Sequence, residues 1–405
     1  MSEDRLRSLL RDAPVPGAED AERRGLAMVE EAFAQRQPRP RASLPRLALA
    51  LAIATLLAAL LLSPAGASVR HWVGDVFDSG VPRSQQGLAD IPGGGRLLVE
   101  SAEGPWVVQP DGSRRLLEDY GEATWSPRGL YVAVASGRTL TAVEPAGTPH
   151  WSLTAREPVN DPRWSPQGER IAYRSGRQLR VTDADGTGDR LIAPETAAVA
   201  PTWSPVGLLQ LAYVDREGRL RIADSERATT SGAAAALPGI VSLEWGGGGS
   251  TLLEASRTAV RLREIRVPKL ADRIGIGKGR ELPLPAGANV RDAALAPHGG
   301  TVAVLIWTRR GGVTRSAVLL IDARGGSSRR LLNVPGQLSE LAWSPNSRRL
   351  LIAWPEADQW LFLPASRGVG RAVGGISSAF APGERVAAFP QIEGWCCSAA
   401  SAGGG

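Results

Sequence analysis

The chain has little that could do chemistry. Its two cysteines, Cys396 and Cys397, are adjacent and almost terminal in 405 residues. They cannot staple a domain interior, and they lack the spacing of a metal site. Three states stay open for the pair: a vicinal bond, a disulfide to a second chain, or free thiols. The three histidines, His71, His150 and His298, fall in different stretches with no acid or nucleophile grouped beside them. There is no Gly-x-Ser-x-Gly elbow, and no glycine-rich loop follows a strand and opens a helix. Accordingly no catalytic residue, cofactor or metal ligand is expected. Lysine is nearly absent, occurring only at Lys269 and Lys278, so the net charge of +6 is carried by arginine. That excess is thinly spread, without a basic run interleaved with aromatics, and no nucleic-acid partner is expected.

One stretch lacks charge altogether. Leu47 to Leu62 is uncharged, and the span continues without charge to Val69. At 1.5 Å per residue it is long enough to cross a hydrocarbon core of about 30 Å. Arg36, Arg39, Arg41 and Arg46 crowd its N-terminal side, so the N-terminus is expected in the cytoplasm and the remainder outside. Ala65-Gly66-Ala67 fits a signal-peptidase site, but the polar region upstream is far longer than a usual n-region, which favours an uncleaved signal anchor. Residues 1–45 read as a polar cytoplasmic segment with short helices over 5–12 and 18–34. Residues 46–69 read as the transmembrane helix, through which the chain partners a membrane, and 70–87 as a linker.

What the chain does have is a repeated phrase. Trp125-Ser126-Pro127-Arg128-Gly129, Trp164-Ser165-Pro166-Gln167-Gly168, Trp203-Ser204-Pro205-Val206-Gly207 and Trp343-Ser344-Pro345-Asn346-Ser347 are four copies of one turn. Each precedes an apolar run such as Ile171 to Tyr173, as a strand leaving a tight turn would. Extending the register to the weaker copies places markers at Asp90, Trp125, Trp164, Trp203, Trp245, Leu295, Trp343 and Phe380, spaced 35 to 50 residues apart. Periods near forty with Gly and Pro punctuation are those of four-stranded propeller blades. Within a unit, Asp111-Gly112 and Asp185-Gly186 mark further turns, because Asp hydrogen-bonds local backbone and Gly accepts positive φ. Each Trp is expected to pack between neighbouring sheets, with Pro127, Pro166, Pro205 and Pro345 fixing φ at the turn. The Gly246–Gly249 run reads as a degenerate turn.

The Trp-Ser-Pro-x-Gly turn, a following strand like Ile171-Ala172-Tyr173, and the later Asp183-Ala184-Asp185-Gly186 turn resemble the WD-repeat-like β-propeller repeat of the TolB C-terminal domain and of prolyl-oligopeptidase-type propellers. The resemblance covers Leu88 to about Trp395 and implies an all-β propeller. The seven intervals predict seven blades, with six and eight as the neighbouring alternatives, closed by the stretch around Phe380 lying beside the first blade. The chain departs from the family at the residue after Ser-Pro, commonly Asp there and here Arg128, Gln167, Val206 and Asn346. Residues 88–395 are therefore read as the propeller and 396–405 as a disordered tail.

For function, the resemblance implies a non-catalytic, extracytoplasmic scaffold that binds a protein or a ligand. Two alternatives stand beside it. One is an anti-sigma-like regulator with the propeller as sensor, although the cytoplasmic segment has no Cys or His for a zinc motif. The other is an envelope hydrolase or lyase acting through the channel, which acidic or histidine residues lining that channel would support.

Overall fold

The computed structural model describes residues 84–397, apart from 119, 207–208, 267–273, 326 and 382–387. The segment read as cytoplasmic (1–45), the apolar span, most of the stretch read as a linker and the tail after Cys397 lie outside the described residues. Among the described residues no helix is long and apolar enough to cross a membrane.

Strands follow one another in antiparallel groups of four. β1 (Ser84–Gln86) precedes β2 (Arg96–Ser101), β3 (Gly104–Val108) and β4 (Arg114–Leu116). Blade 2 is β5 (Ala123–Trp125), β6 (Val132–Ser136), β7 (Thr139–Val143) and β8 (Pro149–Thr154). Blade 3 is β9 (Val159–Trp164), β10 (Arg170–Ser175), β11 (Gln178–Asp183) and β12 (Arg190–Ala193). Blade 4 is β13 (Thr202–Trp203), β14 (Gln210–Val214), β15 (Arg219–Asp224) and β16 (Thr229–Ala235). Blade 5 is β17 (Ile240–Trp245), β18 (Thr251–Ser256) and β19 (Val260–Arg266), with β20 (Gly275–Ile276) and β21 (Arg280–Glu281) both pairing β19. Blade 6 is β22 (Asn289–Leu295), β23 (Thr301–Arg310), β24 (Val313–Asp322) and β25 (Ser328–Pro335). Blade 7 is β26 (Leu341–Trp343), β27 (Arg349–Trp354), β28 (Gln359–Pro364) and β29 (Arg371–Gly374). After a short helix α1 (Ile376–Phe380), β30 (Gln391–Cys396) returns to pair β2 and becomes the innermost strand of blade 1. Seven sheets result, and the ring is closed by the end of the chain, which hides the sheet edges at the seam.

Burial follows from this order. Second strands such as β6 are covered on both faces by neighbouring blades, and Val132 to Ala135 is a continuous buried run. The outermost β8 alternates half-buried and exposed residues, as a rim strand should. Seven apolar clusters each fill one junction between consecutive blades. Every junction holds one marker residue: Trp125, Trp164, Trp203, Trp245, Leu295, Trp343 and Trp395. The sequence register thus holds in its six middle positions and shifts at both ends. Asp90 lies in the strap before β2, paired to Arg371 Nη1 at 2.5 Å. Phe380 ends α1, fully buried between blades 7 and 1, with its ring 5.7 Å from that of Trp106 and 5.3 Å from that of Trp360. The seventh marker is Trp395. Its copy of the turn is split between the two ends of the propeller, so no continuous Trp-Ser-Pro phrase announces it.

The propeller also extends beyond the sequence boundaries at both ends. β1 adds to blade 7 as a parallel fifth strand beside β29, and Cys396 belongs to β30.

Candidate functional site

The repeated turn is built as its composition demands. Gly129 N–H donates to Ser126 O at 2.8 Å and Gly168 N–H to Ser165 O at 2.9 Å, closing β-turns with Pro at the second position. The serine hydroxyl, which sequence reading passed over, ties the turn to the strand that follows. Ser126 Oγ accepts from Tyr131 N–H at 2.9 Å, Ser165 Oγ from Arg170 N–H at 3.0 Å, and Ser344 Oγ from Arg349 N–H at 2.9 Å. The fourth turn residue is left-handed, with φ of 65° at Gly129 and 79° at Gly168. The Gly246–Gly249 run is the same turn in blade 5, where Trp245 Nε1 donates to Gly249 O at 2.8 Å. Successive turns touch one another: Val206 packs on Gly249, Pro297 on Gly247, and the His298 N–H donates to Ser347 Oγ at 3.0 Å. The Trp indoles reach back to the preceding blade, Trp203 Nε1 to Arg163 O at 2.8 Å and Trp343 Nε1 to Ala294 O at 3.1 Å. Those of Trp125 and Trp164 have no hydrogen-bond partner among the described residues. Asp111 and Asp185 serve the outer turns, each Oδ1 accepting from a backbone N–H two residues on.

Around the axis, the innermost strands present edge N–H groups that no strand pairs. Carboxylates three residues before several markers meet this need. Asp292 Oδ2 accepts from Leu341 N–H at 2.9 Å and Glu340 Oε2 from Ile392 N–H at 2.8 Å, while Glu122 accepts from Asp161 N–H. Glu244, one residue before its Trp, accepts from Leu295 N–H at 2.7 Å, and Thr202 Oγ1 does the same for Trp245 N–H at 3.1 Å. Five of the seven junctions are bridged in this way. The recurrence of Glu122, Asp161, Asp292 and Glu340 in phase with the marker is a signal the sequence carried and periodicity reading missed.

These acids converge. Glu393 on β30 lies close to Glu100 on β2 and feels Glu340 and Arg163. Burial first, then Glu100, pushes the Glu393 carboxyl up to about 8. Burial raises Glu244 to about 8, Glu340 to about 7 and Asp292 to about 6, and it raises Glu122 as well. Each is ringed by protein yet keeps part of its surface open. Asp161 instead holds an ion pair with Arg174 Nε at 2.6 Å. Among the described residues no group of three or more His, Cys, Asp or Glu is arranged to hold a metal.

A second feature lies away from the axis, on the side of the repeated turns. Between blades 1 and 2 a cleft of about 620 Å³ is lined by Arg114, Arg115, Leu130, Tyr131 and Glu144. Leu130 is 61% exposed, unusual for an aliphatic side chain of this size in a closed fold. Tyr131 stacks on His150 with ring centroids 4.9 Å apart. Arg114 and Arg115 are exposed and make no ion pair among the described residues. No sequence signal marked this place, because the residues come from two blades.

No family model matches the sequence, and no curated protein matches it. Solved structures do. The β-propeller domain of Cps50 (Swd1) from Myceliophteria thermophila is 15% identical, covering 71% of this chain and 99% of that one at a TM-score of 0.56. A chain of the mitotic checkpoint complex is 15% identical, covering 71% of this chain and 93% of that one at a TM-score of 0.51. At such identities the likeness shows the fold alone. The chain is a seven-bladed β-propeller, of the WD-repeat-like kind its repeated turn resembles.

Proposed function

We propose that the chain is a membrane-tethered, non-catalytic scaffold whose propeller binds a protein or ligand outside the cytoplasm. The single observation that carries the reading is the cleft between blades 1 and 2. There a 61% exposed Leu130 stands beside Tyr131 and two arginines that make no ion pair among the described residues. Exposed apolar surface rimmed by charge is what recognition sites present. The channel carboxylates support the non-catalytic part, since Glu122, Glu244, Asp292 and Glu340 each accept a backbone N–H of the next blade. The tether rests on the uncharged Leu47 to Leu62 stretch and the arginines before it. The test is affinity purification from native membranes of the full-length chain, a form truncated before His71, and full-length Leu130→Asp and Arg114→Glu/Arg115→Glu variants. Partners retained by the truncated form and lost with Leu130→Asp are the expected result. Partners seen only with the full-length chain would move the function to the cytoplasmic segment.

One observation favours a second reading, catalysis through the channel. Glu100 and Glu393 lie close together near Glu340, a carboxyl pair of the sort that divides acid and base roles. If the chain cleaves envelope peptide or glycan, Glu393→Gln abolishes turnover; absence of turnover by the wild type on both substrate classes rejects this reading.

A further inference from the structure

The chain's two cysteines stand where blades 2, 3, 4 and 7 have Ser-Pro. Trp395-Cys396-Cys397 ends β30 as Trp125-Ser126-Pro127 ends β5, and the rest of the turn is supplied by Gly93 to Arg96, with Trp395 Nε1 donating to Gly94 O at 2.9 Å. Cys396 and Cys397 are joined to each other by a disulfide. Their surroundings differ. Cys396 is buried, opposite Arg96 in the strand register, with its sulfur 3.9 Å from the Ser126 carbonyl. Cys397 is only half-buried. The Arg96 guanidinium, held by Gly129 O at 2.7 Å, and the Cys397 sulfur press on the same face of Gly129, so a fixed cation stands beside the more accessible sulfur. Arg349 packs over Gly93 on the same seam.

We propose that Cys396–Cys397 is a reversible thiol–disulfide modification site in the ring-closing turn, reacting with a low-molecular-weight thiol through Cys397 and tuned by Arg96. In the forward step the thiolate attacks Cys397 Sγ. The Cys396–Cys397 bond breaks, and its electron pair leaves on Cys396, which takes up a proton. The buried thiol so formed has the Ser126 carbonyl as its acceptor. A second thiolate then attacks the reductant's sulfur in that mixed disulfide, the bond to Cys397 breaks, and Cys397 leaves with the electron pair and takes up a proton, giving the dithiol and the disulfide of the reductant, with two electrons and two protons transferred. In reverse, the cation at Arg96 favours the Cys397 thiolate, the form that attacks a disulfide. Because the pair stands in the place of the Ser-Pro of blades 2, 3, 4 and 7, its oxidation state bears on the turn where the two ends of the propeller meet.

The experiment uses the full chain equilibrated in glutathione redox buffers, quenched with acid, alkylated and mapped by mass spectrometry. The pair is expected to pass reversibly from disulfide to dithiol, with glutathione on Cys397 as the trapped intermediate in wild type and in Cys396→Ser. Hydrogen exchange of β30 and of the Ser126–Leu130 turn is expected to rise on reduction. Arg96→Gln is expected to slow alkylation of the reduced Cys397 by about tenfold, and Arg96→Lys to restore it, with cooperative unfolding retained. Cys396→Ser/Cys397→Gly, which removes both sulfurs and suits the left-handed φ of 62° at Cys397, is the folded control without redox response. A pair inert to glutathione in the native chain, glutathione found equally on both sulfurs, or an alkylation rate unchanged by Arg96→Gln would each overturn the proposal.

Discussion

Glu340→Gln separates a carboxyl that works by accepting from one that works by being charged. Glu340 takes the Ile392 N–H at 2.8 Å and so ties blade 7 to the closing strand, while burial lifts its carboxyl from 4.5 to about 7. A group whose pKa is raised in the folded state binds its proton more tightly there than in the unfolded chain. The stability it contributes is therefore complete below about 4.5, falls as the pH rises, and is gone above about 7. At roughly 1.4 kcal/mol per pH unit, this window corresponds to about 3 kcal/mol, reduced to about 1–2 kcal/mol because the side chain keeps some solvent. Glu393 and Glu244, each raised to about 8, push in the same direction. The wild type should accordingly be less stable to urea at pH 8 than at pH 5. Glutamine can accept the same hydrogen bond and never ionises. Glu340→Gln should be near neutral at pH 5 and stabilising by about 1–2 kcal/mol at pH 8, which flattens the slope. Equal destabilisation at both pH values would refute the reasoning, since it would mean that Glu340 is ionised and its charge is used.

Three further outcomes follow from the packing. Trp203→Ala should cost about 3–5 kcal/mol by chemical denaturation, and Trp125→Ala less, because Trp203 is 5% exposed with its indole N–H bonded whereas Trp125 is half-buried with its indole N–H unpaired among the described residues. Gly168→Ala should cost about 1 kcal/mol, read as a shift in Tm, because only its positive φ is offended; Gly129→Ala should cost more, because Arg96 and Cys397 occupy the space its Cβ needs. Glu254→Gln in blade 5 should cost about 3–5 kcal/mol, because Glu254 is wholly buried against Arg263, itself 3% exposed, and the guanidinium would lose its anion. Combining it with Arg263→Met should recover part of that loss in a double-mutant cycle.

What the sequence made legible was whatever depends on one blade at a time. Trp203 packs between sheets in any propeller blade that has it, and Asp185-Gly186 turns the chain wherever strands flank it, so both could be placed without knowing their neighbours. The closing blade could not, because its turn is divided: Trp395-Cys396-Cys397 sits at one end of the propeller and Gly93-Gly94-Gly95 at the other, and Phe380 imitated the missing marker because a large buried aromatic was also needed at the seam. The channel acids were hidden for a related reason. An edge N–H on Leu341 has no need that its own blade reveals; the need exists only once blade 6 stands beside it and offers Asp292. Likewise Arg114 and Leu130 belong to different blades and become one cleft only when those blades meet. A repeat protein writes its folding unit many times, so that unit can be read from any copy. Its sites are written between copies, and there each residue acquires its role from a partner some 40 residues away, as Trp203 does from Arg163.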